Sequence, residues 1–186
     1  MSTANTLQSI FDDIYVEDKW NGGSGPGSFK SNTAEYVSFV NDLIKELGVK
    51  SFLDVGCGDW QLASQINLSG VRYKGIDVSS KAIQLAELIA PKGTDLSNDD
   101  IEKVEETYDF VHIKDVLQHL PTIECVRILT AASKHKAVLV VNDHSELNSD
   151  IFAGGYRPFN AMFWPKANLL KMFNIGGFNK SAILIA

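Results

Sequence analysis

"FLDVGCGDWQ", residues 52–61, decides how this chain is read. Apolar residues run straight into Gly56 and Gly58, and a carboxylate, Asp59, follows the second glycine. In an open α/β sheet, a strand that ends in such a turn brings bare backbone close to a ligand beyond the strand ends. An acid that binds ribose hydroxyls is then expected about 20 residues on, at the end of the second strand. Asp77, closing YKGID, stands there. The phosphate half of a dinucleotide site has no such support. Gln61 replaces the third glycine of GxGxxG, and Asp59 puts negative charge where a pyrophosphate needs backbone donors. No GK[ST] follows, so the turn is not a phosphate loop of that kind.

Outward from this turn the chain alternates between two periodicities. Residues 51–56, 72–78, 109–113 and 137–142 read as strands, separated by intervals wide enough for helices. Val37, Val40, Ile44 and Leu47 share a helical face. Ser79 suits the cap of a helix that turns Ile83, Ala86 and Ile89 inward. Pro121 suits the first turn of another, with Ile123, Val126 and Leu129 packing. SAILIA, residues 181–186, reads as a last strand. The fold class predicted is α/β: one mostly parallel sheet with right-handed crossovers and helices on both faces. No repeat or linker appears. Residues 1–186 read as one domain, with the glycine-rich segment 20–30 as a cover over the site.

Composition narrows the partners. The formal net charge of −6 argues against general nucleic-acid affinity, which rests on cations that neutralise phosphates. Two cysteines, Cys57 and Cys125, make neither a disulfide framework nor a zinc pattern, so no metal is expected. The opening MSTANTLQSIFDD lacks a basic segment followed by an apolar one, and no apolar run approaches the roughly 18 residues of a membrane span. A cytoplasmic location is the expectation. A ligand with adenosine, no phosphate and a cationic end fits the turn, and S-adenosylmethionine has that description.

The series DVGCGD, GIDVS, GTDLS and YDFVHIKDVLQHL, across about residues 51–142, resembles the motifs of class I S-adenosylmethionine-dependent methyltransferases. The resemblance implies their Rossmann-like sheet and S-adenosyl-L-methionine as cofactor. It also assigns residues. Asp54, Gly56, Cys57 and Gly58 shape the methionine pocket, Asp77 takes the ribose hydroxyls and Val78 packs on adenine. Asp95 accepts from the adenine amino group and Leu96 donates its backbone N–H, unless Asp95 is a solvated loop acid. Lys114 lies beside the methionine portion, and Trp20, Ser24, Asp59 and Trp60 add contacts. The flanking IYVEDKWNGGSGPGS and DIFAGGYRPFN resemble a smaller group of bacterial and plant methyltransferase-like proteins encoded near polysaccharide genes.

Methyl transfer to a hydroxyl requires a base for its proton. KDVLQHL places Asp115 and His119 four apart, on one face if the segment is helical, so that the carboxylate orients the imidazole. A packing role for His119 before Pro121 is the alternative. Tyr156, Arg157 and Asn160 of YRPFN offer an aromatic, a cation and an amide to an anionic or sugar-like acceptor, unless Arg157 pairs with a carboxylate. The following FWPK and KMF segments read as an apolar cover. The reading favoured is O-methylation of a saccharide or other small polar metabolite. N-methylation, an inactive cofactor-binding regulator and an NAD-dependent oxidoreductase are the alternatives. The last is opposed by Asp59 and Gln61, and no NPPY-like tetrad suggests a nucleic-acid methyltransferase. The oligomeric state is left open.

Overall fold

The computed structural model describes residues 6–186; the part of the leader reading that rests on residues 1–5 lies outside them. Seven strands form a single sheet in the order β3-β2-β1-β4-β5-β7-β6. They are β1 Ser51–Val55, β2 Arg72–Asp77, β3 Asp95–Asn98, β4 Phe110–Lys114, β5 Val138–Asp143, β6 Ala167–Ile175 and β7 Phe178–Ile185. The first five pair in parallel, and β7 runs antiparallel between β5 and β6. The order reverses beside β1, so the turn after β1 opens at the switch point where ligands of such sheets bind. The α/β reading is borne out.

The period of two along β1 and β4 sends alternate residues to two cores. Leu53, Val55, Val111 and Ile113 pack with α4 (Thr122–Ala132) and with Phe11 and Ile14 of α1 (Leu7–Val16). Phe52, Phe110 and Leu139 pack on the other face under α2 (Lys30–Glu46), through Tyr36, Val40 and Ile44. Helix α3 (Ser80–Ile89) is capped by Ser79, whose hydroxyl accepts from Ala82 N at 3.1 Å, as its sequence implies. Its start is also held from outside: Asp12 of α1 accepts from Ser79 Oγ at 2.7 Å and Lys81 N at 3.0 Å. A carboxylate at a helix N-terminus meets unpaired N–H groups and the positive end of the dipole.

Several expectations need correction. Ile89 and Leu47 stand at helix ends and are exposed. In α4 the buried stripe is Cys125, Ile128 and Leu129, whereas Ile123 and Val126 face outward, because the helix meets the sheet one residue out of phase with the stripe expected. GTDLS is not a loop but enters β3, with Asp95 paired to Lys74 in register. KMF lies within β6, a strand the sequence reading missed, joined to β7 through Gly176 and Gly177. The FWPK residue Trp164 donates to Ser133 Oγ at 3.0 Å at the end of α4, away from the switch point, so neither segment covers the site. Helix α1 was missed as well.

Candidate active site

A cleft opens beyond the carboxyl ends of β1, β2 and β4, roofed by α1 and the loop that follows it. Its floor is the glycine turn. Gly56 and Gly58 have φ of +72° and +59°, the left-handed region that favours glycine. Space is as decisive as conformation. A Cβ on Gly56 would sit 2.3 Å from Val116 Cγ2, and one on Gly58 would sit 2.2 Å from Ser24 Oγ. Both Val116 and Ser24 line the cleft, so the missing side chains let its two walls approach the turn.

Asp77 ends β2 beside this floor. Its carboxylate accepts from Gly58 N at 3.0 Å and from Ser79 N at 2.8 Å. Each oxygen so engaged keeps a lone pair for a further donor. Burial pushes the Asp77 carboxyl up to about 6, against the pull of those two N–H groups and with repulsion from Asp54 and Asp12 adding to the rise. Asp54 accepts from Tyr73 OH at 3.0 Å and from His112 Nδ1 at 2.8 Å. A carboxylate only accepts, so Nδ1 carries the hydrogen, and Nε2 receives the Tyr36 hydroxyl at 2.6 Å. This buried chain fixes Asp54 at the cleft and gives His112 a structural place. The Cys57 thiol also lines the cleft, and burial raises it well above its usual range, so it is inert.

The roof is latched. Asp59 accepts from Ser24 N at 3.0 Å and Ser24 Oγ at 2.7 Å, while Gln61 Nε2 donates to Asp59 at 2.6 Å. Asp59 is therefore spent on the loop, and it does not line the cleft. The same holds of Trp60, which packs with Ala63 and Ala86 in a separate cluster. Lys114, at the end of β4, donates to the Gly27 carbonyl at 2.8 Å and to Asp115. Burial lowers the Lys114 ammonium from its usual value, with Asp115 opposing that effect. Trp20, Ser24 and Ser28 line the cleft from the loop, and Leu7, Phe11 and Tyr15 line it from α1. Segment 20–30 thus contributes three residues to the lining, and helix α1 contributes as many. The apolar residues Leu7, Phe11 and Ile14, spaced for one helical face after the capping Thr6, were the signal for that helix.

The acid expected on the adenine side, Asp95, does not reach the cleft. Asp95 starts β3, is half exposed and pairs with Lys74 Nζ at 3.1 Å; it does not line the cleft. Leu96 packs on the cluster around Trp60 and is equally absent. Because β3 runs parallel to β2 with Asn98 level with Asp77, three residues after Asp95, the cleft end of this edge begins after Asn98. Asp99, Asp100 and Ile101 line the cleft opposite Val78. Both oxygens of Asp100 receive Arg127, at 2.8 and 2.7 Å, which ties this loop to α4. Among the described residues the Asp99 carboxylate is held by Lys103 alone, at 3.2 Å, which leaves it capacity for a ligand donor.

His119 does line the cleft, but Asp115 does not orient it. The segment is not an α-helix; Leu117–His119 forms one 3-10 turn, and Asp115 sits at φ +59°. Burial works to raise the Asp115 carboxyl, yet Lys114 and Lys180 together hold it at about 2. What orients His119 is the Gly155 carbonyl, 2.8 Å from Nδ1. A carbonyl only accepts, so Nδ1 carries the hydrogen and Nε2 keeps the lone pair, toward which the Gln118 amide N–H points from a long 3.4 Å. Burial lowers the His119 pKa, with the Gly155 bond opposing that effect. The ring lies between Trp20 and Tyr156, with centroids at 5.0 and 6.0 Å.

Two of the three acceptor residues expected in YRPFN are structural. Arg157 is buried; its guanidinium donates to the carbonyls of Ser149 at 2.6 Å, Leu117 at 2.9 Å and Leu120 at 3.0 Å. It meets neither a carboxylate nor the cleft. Asn160 caps the 3-10 turn Ala161–Phe163, accepting from Met162 N at 2.9 Å. Tyr156 does not line the cleft itself but stands beside it, half exposed, with its ring centroid 6.0 Å from that of His119 and its hydroxyl donating to Asp143 at 2.6 Å.

A family model described as "Methyltransferase domain" matches residues 30–172. The chain belongs to this methyltransferase domain family. A ubiquinone biosynthesis O-methyltransferase of Vibrio atlanticus (strain LGP32) is 31% identical over 105 residues, covering 53% of this chain and 44% of that protein. Its counterpart in Nitrosomonas europaea is 29% identical over 95 residues, covering 46% and 39%. The chain thus spans less than half the length of these curated relatives. Among solved structures, magnesium protoporphyrin IX methyltransferase from Synechocystis PCC 6803 with bound SAM superposes with a TM-score of 0.68 at 16% identity, over 99% of this chain and 98% of that one. The plantazolicin methyltransferase BpumL in complex with SAH superposes with a TM-score of 0.56 at 19% identity, over 73% and 56%. These likenesses establish the fold: the Rossmann-like sheet of class I methyltransferases.

Proposed function

We propose that this domain is an S-adenosylmethionine-dependent O-methyltransferase acting on a hydroxyl of a saccharide or another small polar metabolite. The donor set fits the cofactor. Asp77 has lone pairs for the two ribose hydroxyls, Val78 and Ile101 would border the adenine, and Asp99 would accept from its amino group. Backbone at Gly56, Cys57 and Gly58, with Asp54 and Lys114, would hold the methionine end. The bare Gly58, which a Cβ would press to 2.2 Å from Ser24, is the cradle for that backbone approach. When bound, the cofactor supplies an electrophilic methyl group on a sulfonium. This chain contributes alignment, a dry roof of Trp20, Tyr15 and Phe11, and a proton acceptor.

The observation that carries O-methylation is the fixed tautomer of His119. With Nδ1–H donated to Gly155 and the pKa lowered, Nε2 is an unprotonated base at neutral pH. The O-methyltransferases among the relatives agree with that reading. Transfer of labelled methyl from S-adenosylmethionine to a hydroxyl, abolished or strongly reduced by His119→Asn with cofactor affinity retained, is the expected result. Undiminished turnover in that variant would favour N-methylation.

A further inference from the structure

Outside His119 the mouth of the cleft holds a second arrangement that the proposed reaction does not use. Lys180 of β7 is buried and donates to Asp115 at 2.7 Å and to Asp143, while Asp143 also receives the Tyr156 hydroxyl at 2.6 Å. Asp143 thus fixes the direction of the Tyr156 hydrogen. The hydrogen points inward, and the lone pairs of the phenol oxygen are what the mouth presents. His119 is fixed to the same effect by Gly155. Two neighbouring rings, centroids 6.0 Å apart, therefore each carry an acceptor atom and no donor, and the one contact at His119 Nε2 is the long 3.4 Å approach of the Gln118 amide, which leaves room for a stronger donor.

Charge points the same way. Five aspartates line the cleft against two cations, Lys114 and Arg127, and both cations are engaged by carboxylates. Arg157, the cation expected to greet an anionic acceptor, is spent on three carbonyls. The surfaces left at the mouth are the rings of Trp20 and Tyr156, which take the flat or apolar face of another ring.

We propose that His119 and Tyr156 form a subsite for an uncharged ring bearing two adjacent hydroxyls, one given to His119 Nε2 for methylation and its neighbour to the Tyr156 oxygen. In the transfer the hydroxyl oxygen bonds to the methyl carbon as the carbon–sulfur bond breaks, its proton passes to His119 Nε2, and a neutral thioether leaves. Tyr156 keeps its proton and positions the acceptor. The inference rests on the methyltransferase reading above.

The test uses the full chain with labelled S-adenosylmethionine and two matched pairs of probes: catechol with phenol, and trans-1,2-cyclohexanediol with cyclohexanol. A carboxylated catechol serves as a charged control. At least one diol is expected to be methylated, with KM about three- to tenfold below that of its mono-ol, the worth of one neutral hydrogen bond. Tyr156→Phe should erase that difference through KM, with S-adenosylhomocysteine affinity retained. The carboxylated catechol should be the poorer substrate. The catechol and cyclohexanediol arms separate a flat ring from a saturated one. Equal KM for diol and mono-ol, a Tyr156→Phe variant that keeps the preference, a favoured carboxylate, or no methylation of any probe by protein that binds S-adenosylhomocysteine would each overturn the subsite. Failure to bind S-adenosylhomocysteine would instead overturn the methyltransferase reading.

Discussion

Asp77 makes cofactor binding a proton-linked event. Its carboxyl is raised by burial to about 6, above the 3.8 of a free carboxyl. A group whose folded pKa is raised contributes stability below its unfolded pKa, and that stability is lost as pH rises through the folded pKa. The protein without cofactor should therefore lose roughly 2 kcal/mol between pH 4 and pH 7 from this residue. The cofactor reverses the preference, because ribose hydroxyls donate to the ionised form. Below pH 6 the site must give up a proton to bind. If bound Asp77 titrates well below 5, affinity for S-adenosylhomocysteine should fall about tenfold from pH 7.5 to pH 5. Titration calorimetry at pH 5.5, in buffers of different ionisation enthalpy, should show about three-quarters of a proton released per ligand. Asp77→Asn should bind at least tenfold more weakly at neutral pH and without that dependence. A wild-type affinity flat across this range, or a proton release that survives in the variant, would refute the assignment of Asp77 to the ribose.

His119→Asn should lower kcat by roughly 10²–10⁴-fold and remove the acidic limb of the pH–rate profile, which in the native protein should lie below pH 6.5, since burial depresses this imidazole. A variant that retains the limb would take His119 out of the chemistry. Asp59→Asn should loosen the roof by weakening its grip on Ser24, speeding cofactor release several-fold in stopped-flow with little change in melting temperature; an unchanged release rate would show that the latch does not gate the cleft. Arg157→Met should destabilise the fold by about 3 kcal/mol or more in urea titration, because three carbonyls lose their donor; a variant of native stability that loses acceptor affinity would restore the surface role given up here.

The sheet was legible because its signals are local. Apolar runs ending in glycine, Ser79 ahead of a helix and the spacing from Gly58 to Asp77 each report on a few consecutive residues. Strand β6 was hidden for an equally plain reason: ALA-to-ILE segment 167–175 is exposed on both faces for most of its length and lies at the sheet edge, so no buried stripe marks it.

The site divides along the same line. Residues placed by one strand end, Asp54, Gly56, Asp77 and Lys114, lie at the cleft as read. Residues whose direction depends on a distant partner were misread. Asp115 faces Lys180, 65 positions away, and Arg157 reaches back 40 positions to Leu117. Asp95 and Asp99 differ only by where β3 stands against β2, a register no local pattern fixes. A charged side chain near a motif therefore carries two meanings until its partner is known. Burial decides between them, because a buried charge must be paired and a paired charge has little left for a ligand. By that criterion Asp59, Asp100 and Arg157 belong to the scaffold, whereas Asp77, Asp99 and Nε2 of His119, met only by the Gln118 amide at a long 3.4 Å, are the groups with hydrogen-bonding capacity still to give.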